Sequence, residues 1–223
     1  MVKVIYEDNH LLVVEKPVNI LSQGDDTNDK DMVNLLKQYV KEKYNKPGNV
    51  YIGLIHRLDR PVGGAMVFAK TSKAASRLSE QVRNKTFKKT YRAVIHGSMT
   101  KESDTLKDYL YKNRSTNMVS VVRKDHTEAK NAELSYETLD KKGGFSLMEI
   151  DLKTGRSHQI RVQFASRKHP LFGDQRYGQD VNKVGQQISL WSNKIEIEHP
   201  TTKEKMEFVC EPPQEYPWDL FKK

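Results

Sequence analysis

The sequence predicts an α+β fold: a mixed, mostly antiparallel central sheet with flanking helices. Three observations predict it. Short β-rich runs outnumber helical ones, several neighbouring runs are joined by turn-sized links, and no regular strand–helix alternation is present. Val2 to Tyr6 and Leu11 to Glu15 read as a hairpin around Glu7-Asp8-Asn9-His10. Asp31 to Tyr44 reads as a helix, because Met32, Leu35, Leu36, Tyr39 and Val40 recur at helical spacing behind a cap at Asp29 or Asp31. Lys46-Pro47-Gly48-Asn49 then breaks the chain.

Ala65 to Ala69 has the unbroken apolar character of a buried strand. Thr71 or Ser72 can cap a helix reaching about Asn84, with Ala74, Ala75, Leu78 and Val82 on one face. Thr90 to His96 is a further strand. From Gly97 to Asn131 the chain is polar with weak periodicity, which predicts irregular structure or a short hairpin. Ala132 to Thr138 and Phe145 to Leu152 form a strand pair joined through Gly143-Gly144. Ser157 to Arg167 reads as helical, Ile188 to Trp191, Lys194 to Glu198 and Lys205 to Cys210 as late strands, and Trp218 and Phe221 as anchors of the tail. No repeat, low-complexity segment or compositional break divides the chain, so residues 1–223 read as a single domain.

The 223 residues carry 38 Lys+Arg against 29 Asp+Glu, a formal charge of +9. Such an excess favours a polyanionic partner. The single cysteine, Cys210, excludes an internal disulfide framework and a Cys-rich metal cluster, and the seven histidines lack ligand spacing. No Walker loop, G-x-G-x-x-G or nucleophile-elbow serine is present. The first residues lack a signal-peptide pattern and no window approaches a membrane span, so the expectation is a soluble cytoplasmic protein with no membrane contact.

The most informative stretch is His56-Arg57-Leu58-Asp59-Arg60-Pro61-Val62-Gly63-Gly64. One carboxylate stands between two arginines on a turn that leads into a buried strand. An isolated Asp between arginines is usually a surface ion pair of little consequence. Here Pro61 and the glycines fix the turn, and the arginines favour the ionised acid that nucleophilic or basic work requires beside a polyanion. A second constellation is Gly155-Arg156-Ser157-His158-Gln159-Ile160-Arg161-Val162. Gly155 opens a turn, Arg156 and His158 can reach phosphate or sugar, and Arg161, flanked by apolar residues, calls for a carboxylate, for which Asp59 is the expected partner. The third is Lys89-Thr90-Tyr91-Arg92. There Tyr91 can face a site and stack on a base, with Lys89 and Arg92 outward.

These residues together resemble the RluA family of RNA pseudouridine synthases. His56 to Arg60 with Gly64 and Phe68-Ala69-Lys70 resembles its catalytic motif. Lys89 to Ala93 with Gly97 resembles a second block. Gly155 to Val162, Pro170-Leu171-Phe172-Gly173-Asp174 and Tyr177-Gly178 resemble a third, and Glu15-Lys16-Pro17 resembles its first strand and turn. The resemblance implies the pseudouridine synthase fold and the isomerisation of uridine to pseudouridine in ribosomal RNA or tRNA, without metal or cofactor. It implies Asp59 as nucleophile or base, Tyr91 against the target base, and Arg161 paired with Asp59. Arg57 would hold the extruded nucleotide, with His56, Arg60, Arg156 and His158 on the substrate side and Ile160 and Val162 as walls. It also implies a monomer that needs no protein partner and lacks the S4-type RNA-binding module of many relatives, so that residues 97–131 choose the target. Pro61-Val62-Gly63, Gln163 and Gln23 depart from residues common in the family. A non-catalytic RNA-binding protein and a uracil-releasing N-glycosidase are the competing readings.

Overall fold

In the computed structural model, which describes residues 2–222, the chain divides into two compact units. One comprises residues 1–89 and 192–211, the other residues 90–191 and 212–223. Two of the three boundaries, after residues 89 and 191, fall inside strands rather than in linkers, so no compositional break announces them.

The first unit opens with the expected hairpin, β1 (Lys3–Glu7) paired antiparallel to β2 (Leu11–Lys16). β2 pairs antiparallel to β4 (Gly63–Ala69), and the two-residue strand β3 (Gly53–Leu54) also pairs with β4. β4 is buried at every position, as its apolar run predicts. Beyond it lies β10 (Leu190–Glu198), with β11 (Lys205–Val209) antiparallel to it. The two runs read separately at Ile188 to Trp191 and Lys194 to Glu198 are thus one strand, uninterrupted by Ser192-Asn193 because both are buried and in register.

Helix α1 (Met32–Lys43) is capped by Asp31, whose side chain accepts the Asn34 N–H. Helix α2 (Ser72–Arg83) is capped by Thr71. Its buried face is Ala74, Leu78 and Gln81, while Val82 is exposed. Gln81 displaces Val82 from the expected face because its amide bridges the backbone of Glu198, donating to the carbonyl and accepting the N–H.

The second unit is an antiparallel sheet in the order β5-β9-β8-β6-β7. β5 is Lys88–His96, β6 Ser103–Asn113, β7 Met118–Val122, β8 Lys130–Lys142 and β9 Phe145–Leu152. The weakly periodic stretch from Gly97 thus holds an 11-residue strand and a regular hairpin. Its signal is weak because only Leu106, Leu110 and Val119 face inward, joining Ala132 and Val162 in one cluster for the last two. Helix α3 (Gln159–Ala165) is shorter than expected, since His158 takes a left-handed conformation at φ 51° and delays its start. A short 3-10 turn at Trp218–Phe221 lies against β8.

Gly64 fixes the close approach of β4 to β10. A Cβ there would sit 2.4 Å from the Ser192 carbonyl oxygen and 2.6 Å from its nitrogen, and its φ is +113°. Gly64→Ala is therefore expected to lower unfolding free energy by at least about 2 kcal/mol, through overpacking and backbone strain together. Equilibrium urea unfolding measures it; a loss within 0–0.5 kcal/mol, roughly that of a neutral surface change, would show the strands can part.

Candidate functional site

In the first unit the feature that shapes the Asp59 turn is a lysine. Lys16 ends β2 at 0 % exposure, at a position whose parity along the strand points inward. Its ammonium donates to three carbonyls, Val62 at 2.7 Å, Pro17 at 2.9 Å and Arg60 at 3.1 Å. Two of those carbonyls flank Pro61 in the turn that follows Asp59. The turn closes with the Val62 N–H donating to the Asp59 carbonyl at 2.9 Å. On the other side Ser22 clamps Leu58, its hydroxyl donating to the Leu58 carbonyl at 2.7 Å and accepting the Leu58 N–H at 3.0 Å. The half-buried Asp59 side chain thus projects from a backbone held on both sides.

Burial pushes the Lys16 ammonium down to about 7, against the pull of the Asp59 charge and with the push of Arg60. Sequence reasoning quoted Lys16 without giving it a role. The signal was present: a lysine on the core-facing register of an otherwise apolar strand, directly before a proline.

The residues around Asp59 separate into two groups. Arg57 is exposed. Arg60 is also exposed, and its guanidinium bonds Asp29 at 2.7 Å, so it braces the neighbouring loop. His56, expected on the substrate side, lies buried against β4. It is 8 % exposed, its Nε2 accepts the Val67 N–H at 3.1 Å, and its ring packs 5.2 Å from that of Phe87. Burial, with the nearby Lys89 charge, pushes the imidazole down to about 3. His56 is a neutral strut between turn and β4. Lys89, expected outward, is itself held below its ordinary value by burial.

In the second unit Tyr91 lies on β5 opposite Ile150 and is only 5 % exposed. Arg92 points the other way and pairs with Glu149 at 2.9 Å. Arg161 is buried as expected, and its fork is held by a carboxylate the sequence reading did not single out. Nε donates to Asp174 Oδ2 at 2.8 Å and Nη2 to Oδ1 at 2.7 Å. Asp174 also accepts the N–H groups of Arg176 and Tyr177. Burial opposes its ionisation, but the Arg161 hydrogen bonds and charge and these N–H groups hold its carboxyl below the ordinary range. The Tyr177 ring lies 5.2 Å from the guanidinium carbon of Arg161. The Tyr177 hydroxyl accepts the Val119 N–H at 2.9 Å and shares a hydrogen bond with His158 Nδ1 at 2.7 Å.

The remaining expected residues divide similarly. Arg156 is exposed, with Nε donating to the Asn131 carbonyl. Ile160 and Val162 are buried, and Val162 packs in the β6–β7 cluster rather than lining an open wall. Gln163 donates to Asp108 at 2.7 Å, and Arg167 meets the same carboxylate.

Two outcomes follow from these networks. Lys16 holds fewer protons folded than unfolded between pH 7, its folded value of about 7, and its ordinary 10.5. Stability rises with pH where the unfolded state binds more protons. Unfolding free energy of the unaltered chain should therefore rise relative to Lys16→Met across that window, by at most about 1.4 kcal/mol per pH unit; parallel profiles in urea unfolding would refute it. Asp174→Ala removes two buried hydrogen bonds and the charge facing the Arg161 fork and should cost about 3 kcal/mol or more, measured the same way.

Comparison with known proteins bears on all of this. Residues 10–166 match the family model described as RNA pseudouridylate synthase. The chain is 33% identical over 220 residues to the "Uncharacterized RNA pseudouridine synthase YhcT" of Bacillus subtilis, covering 97% of this chain and 69% of that protein. It is 31% identical over 215 residues to the "Ribosomal large subunit pseudouridine synthase C" of Buchnera aphidicola subsp. Acyrthosiphon pisum, covering 92% and 65%. It is 29% identical over 224 residues to the "tRNA pseudouridine synthase C" of Vibrio cholerae, covering 92% and 89%. It thus spans about two thirds of the first two relatives. Among solved structures, "Human RNA Pseudouridylate Synthase Domain Containing 4" superposes with a TM-score of 0.79 at 21% identity, over 95% of this chain and 89% of that one, which shows the fold. Motifs, fold and relatives agree: the chain belongs to the RNA pseudouridylate synthases, isomerases acting on RNA, and within them to the RluA type.

Proposed function

We propose that the chain isomerises particular uridines to pseudouridine with Asp59 as the nucleophile or base, residues 1–223 acting as one catalytic domain in the cytoplasm. The observation that carries this reading is the Asp59 turn. Its backbone is gathered by the buried Lys16 ammonium and clamped by Ser22, so the carboxylate is held in place before RNA arrives. In the reaction the C1′–N1 bond breaks, the uracil turns, and a C1′–C5 bond forms. The C5 proton leaves and N1 gains one, so no redox partner is needed.

Asp59 cannot reach C1′ in a stacked helix, so the target nucleotide is flipped out. Arg57 is the residue for phosphate or for the gap left behind, because it is an exposed cation of the turn that makes no ion pair among the described residues, whereas Arg60 is taken up by Asp29. Tyr91 packs on the target base, and Arg161 is the buried cation of the reaction. Arg156 is the exposed phosphate contact ahead of α3. His56 and Val162 are structural in this reading, for the burial given above. Either ribosomal RNA or tRNA fits, in line with the names of the relatives. Target choice falls to the β6–β7 hairpin, with its exposed Arg114 and Arg123.

Asp59→Asn should abolish pseudouridine formation, read by mass spectrometry of RNA from cells lacking and re-expressing the protein, while RNA affinity stays within about twofold. Full turnover in that variant would remove Asp59 from the chemistry, and free uracil would favour the glycosidase. Arg161→Met should depress kcat far more than affinity. A variant with normal kcat would remove Arg161 from the reaction.

A further inference from the structure

At the far end of β4 from the Asp59 turn, cations converge on one tyrosine. Lys70 follows β4 directly, and its Nζ lies 4.8 Å from the centroid of the Tyr44 ring; those of Lys43 and Lys46 lie at 5.5 and 5.8 Å. Glu7 is the carboxylate that gathers them. It accepts from Lys43, Lys70, Tyr39 and Tyr44, at 2.7 to 2.9 Å. Lys46 makes no ion pair among the described residues, nor does Lys41 on the last turn of α1. Tyr44 remains 45% exposed despite these contacts. Tyr51, 48% exposed, stands at the same end of β4, two residues before Gly53, the partner of Ala69. Between the tyrosines runs the exposed loop Asn45-Lys46-Pro47-Gly48-Asn49.

Half-exposed tyrosines interleaved with lysines in excess of carboxylates are the makings of a single-strand platform: aromatic faces take bases and ammoniums take phosphates. We propose that this surface, formed by Tyr44, Lys41, Lys43, Lys46 and Tyr51, is a second RNA contact that engages unpaired nucleotides flanking the target. The seven residues of β4 place it roughly 20 Å from the Asp59 turn. It therefore acts on a stretch of RNA beyond the flipped nucleotide and its neighbours. The inference rests on the chain acting on RNA. It does not rest on the roles given to Asp59, Tyr91 or Arg161, because its test reads binding and not turnover.

The probes are oligouridylates of about 3 and about 30 nucleotides, sizes on either side of typical single-strand sites of about 4–16 nucleotides, and the chain is used whole. Lys41→Glu combined with Lys46→Glu should weaken binding of the longer probe about tenfold at low salt. The slope of log affinity against log salt should shrink by roughly 1.4, since each lysine on a single strand contributes about 0.7. Binding of the short probe should be unaffected. Tyr44→Leu should cost about fivefold or more on the long probe through lost stacking. Tyr44→Phe gives up the Glu7 hydrogen bond but keeps the ring, and should bind as the unaltered chain does. Equal losses in Phe and Leu variants would make Tyr44 merely structural and overturn its assignment. Unchanged long-probe affinity and slope in the lysine double variant would overturn the surface itself, including where that variant loses binding to anionic lipid vesicles instead.

Discussion

One ammonium inside the first unit decides how the turn that carries Asp59 is held. Lys16 is held by three backbone oxygens, two of which belong to the turn after Asp59. A charge placed there is costly unless every donor is satisfied, and the turn satisfies it. The dependence is mutual. The turn keeps its shape because its carbonyls converge on a cation, and the cation tolerates burial because they do. Ser22 on Leu58, the Gly64 contact with Ser192 and the neutral His56 strut extend that fixed region into β4 and β10.

The second unit solves an equivalent problem with the opposite assignment of charges. A buried guanidinium needs an anion, and Asp174 supplies a planar partner that accepts two parallel bonds. The same carboxylate takes the N–H groups of the next residues, which carry Tyr177 to the guanidinium face and its hydroxyl to the β7 backbone. Arg161, the start of α3 and the β6–β7 hairpin are thereby joined in one hydrogen-bonded chain. Tyr177 and Asp174 tie the Val119 backbone of the hairpin to the guanidinium, beside the Val162 packing and the bond from Gln163 to Asp108 that join α3 to the same hairpin.

Most of the scaffold was legible in the sequence. Asp31 and Thr71, each one of two caps offered, cap the helices. The hairpin and the buried strand at Ala65 stand within a residue or two of expectation, and the strand pair joined through Gly143-Gly144 is present with its first strand running to Lys142, four residues beyond Thr138. The β6–β7 region was not, because a strand with few inward apolar residues has no strong two-residue period. The Asp59 turn and the burial of Arg161 were also legible, since an acid on a proline–glycine turn and an arginine among apolar residues are local signals. The partners were not. Lys16 meets Arg60 and Val62 across more than forty residues, and the environment of His56 depends on Val67 and Phe87. Burial of a motif residue comes from tertiary packing, which motif chemistry alone does not encode.

The saturated carboxylates have a consequence for acid conditions. Burial would raise Glu7, yet four donors outweigh it and hold the acid at about 2, and Asp174 and Asp8 are likewise held below their ordinary values. A depressed carboxylate gives its stabilisation above the unfolded value and loses it only as pH falls through the folded one. For Glu7 that loss is spread from the ordinary 4.5 down to about 2. The ties that fasten α1 to β1, and Arg161 to its loop, thus stay charged through mildly acidic surroundings. Acid therefore loosens these ties only well below the range in which an ordinary carboxylate takes up its proton.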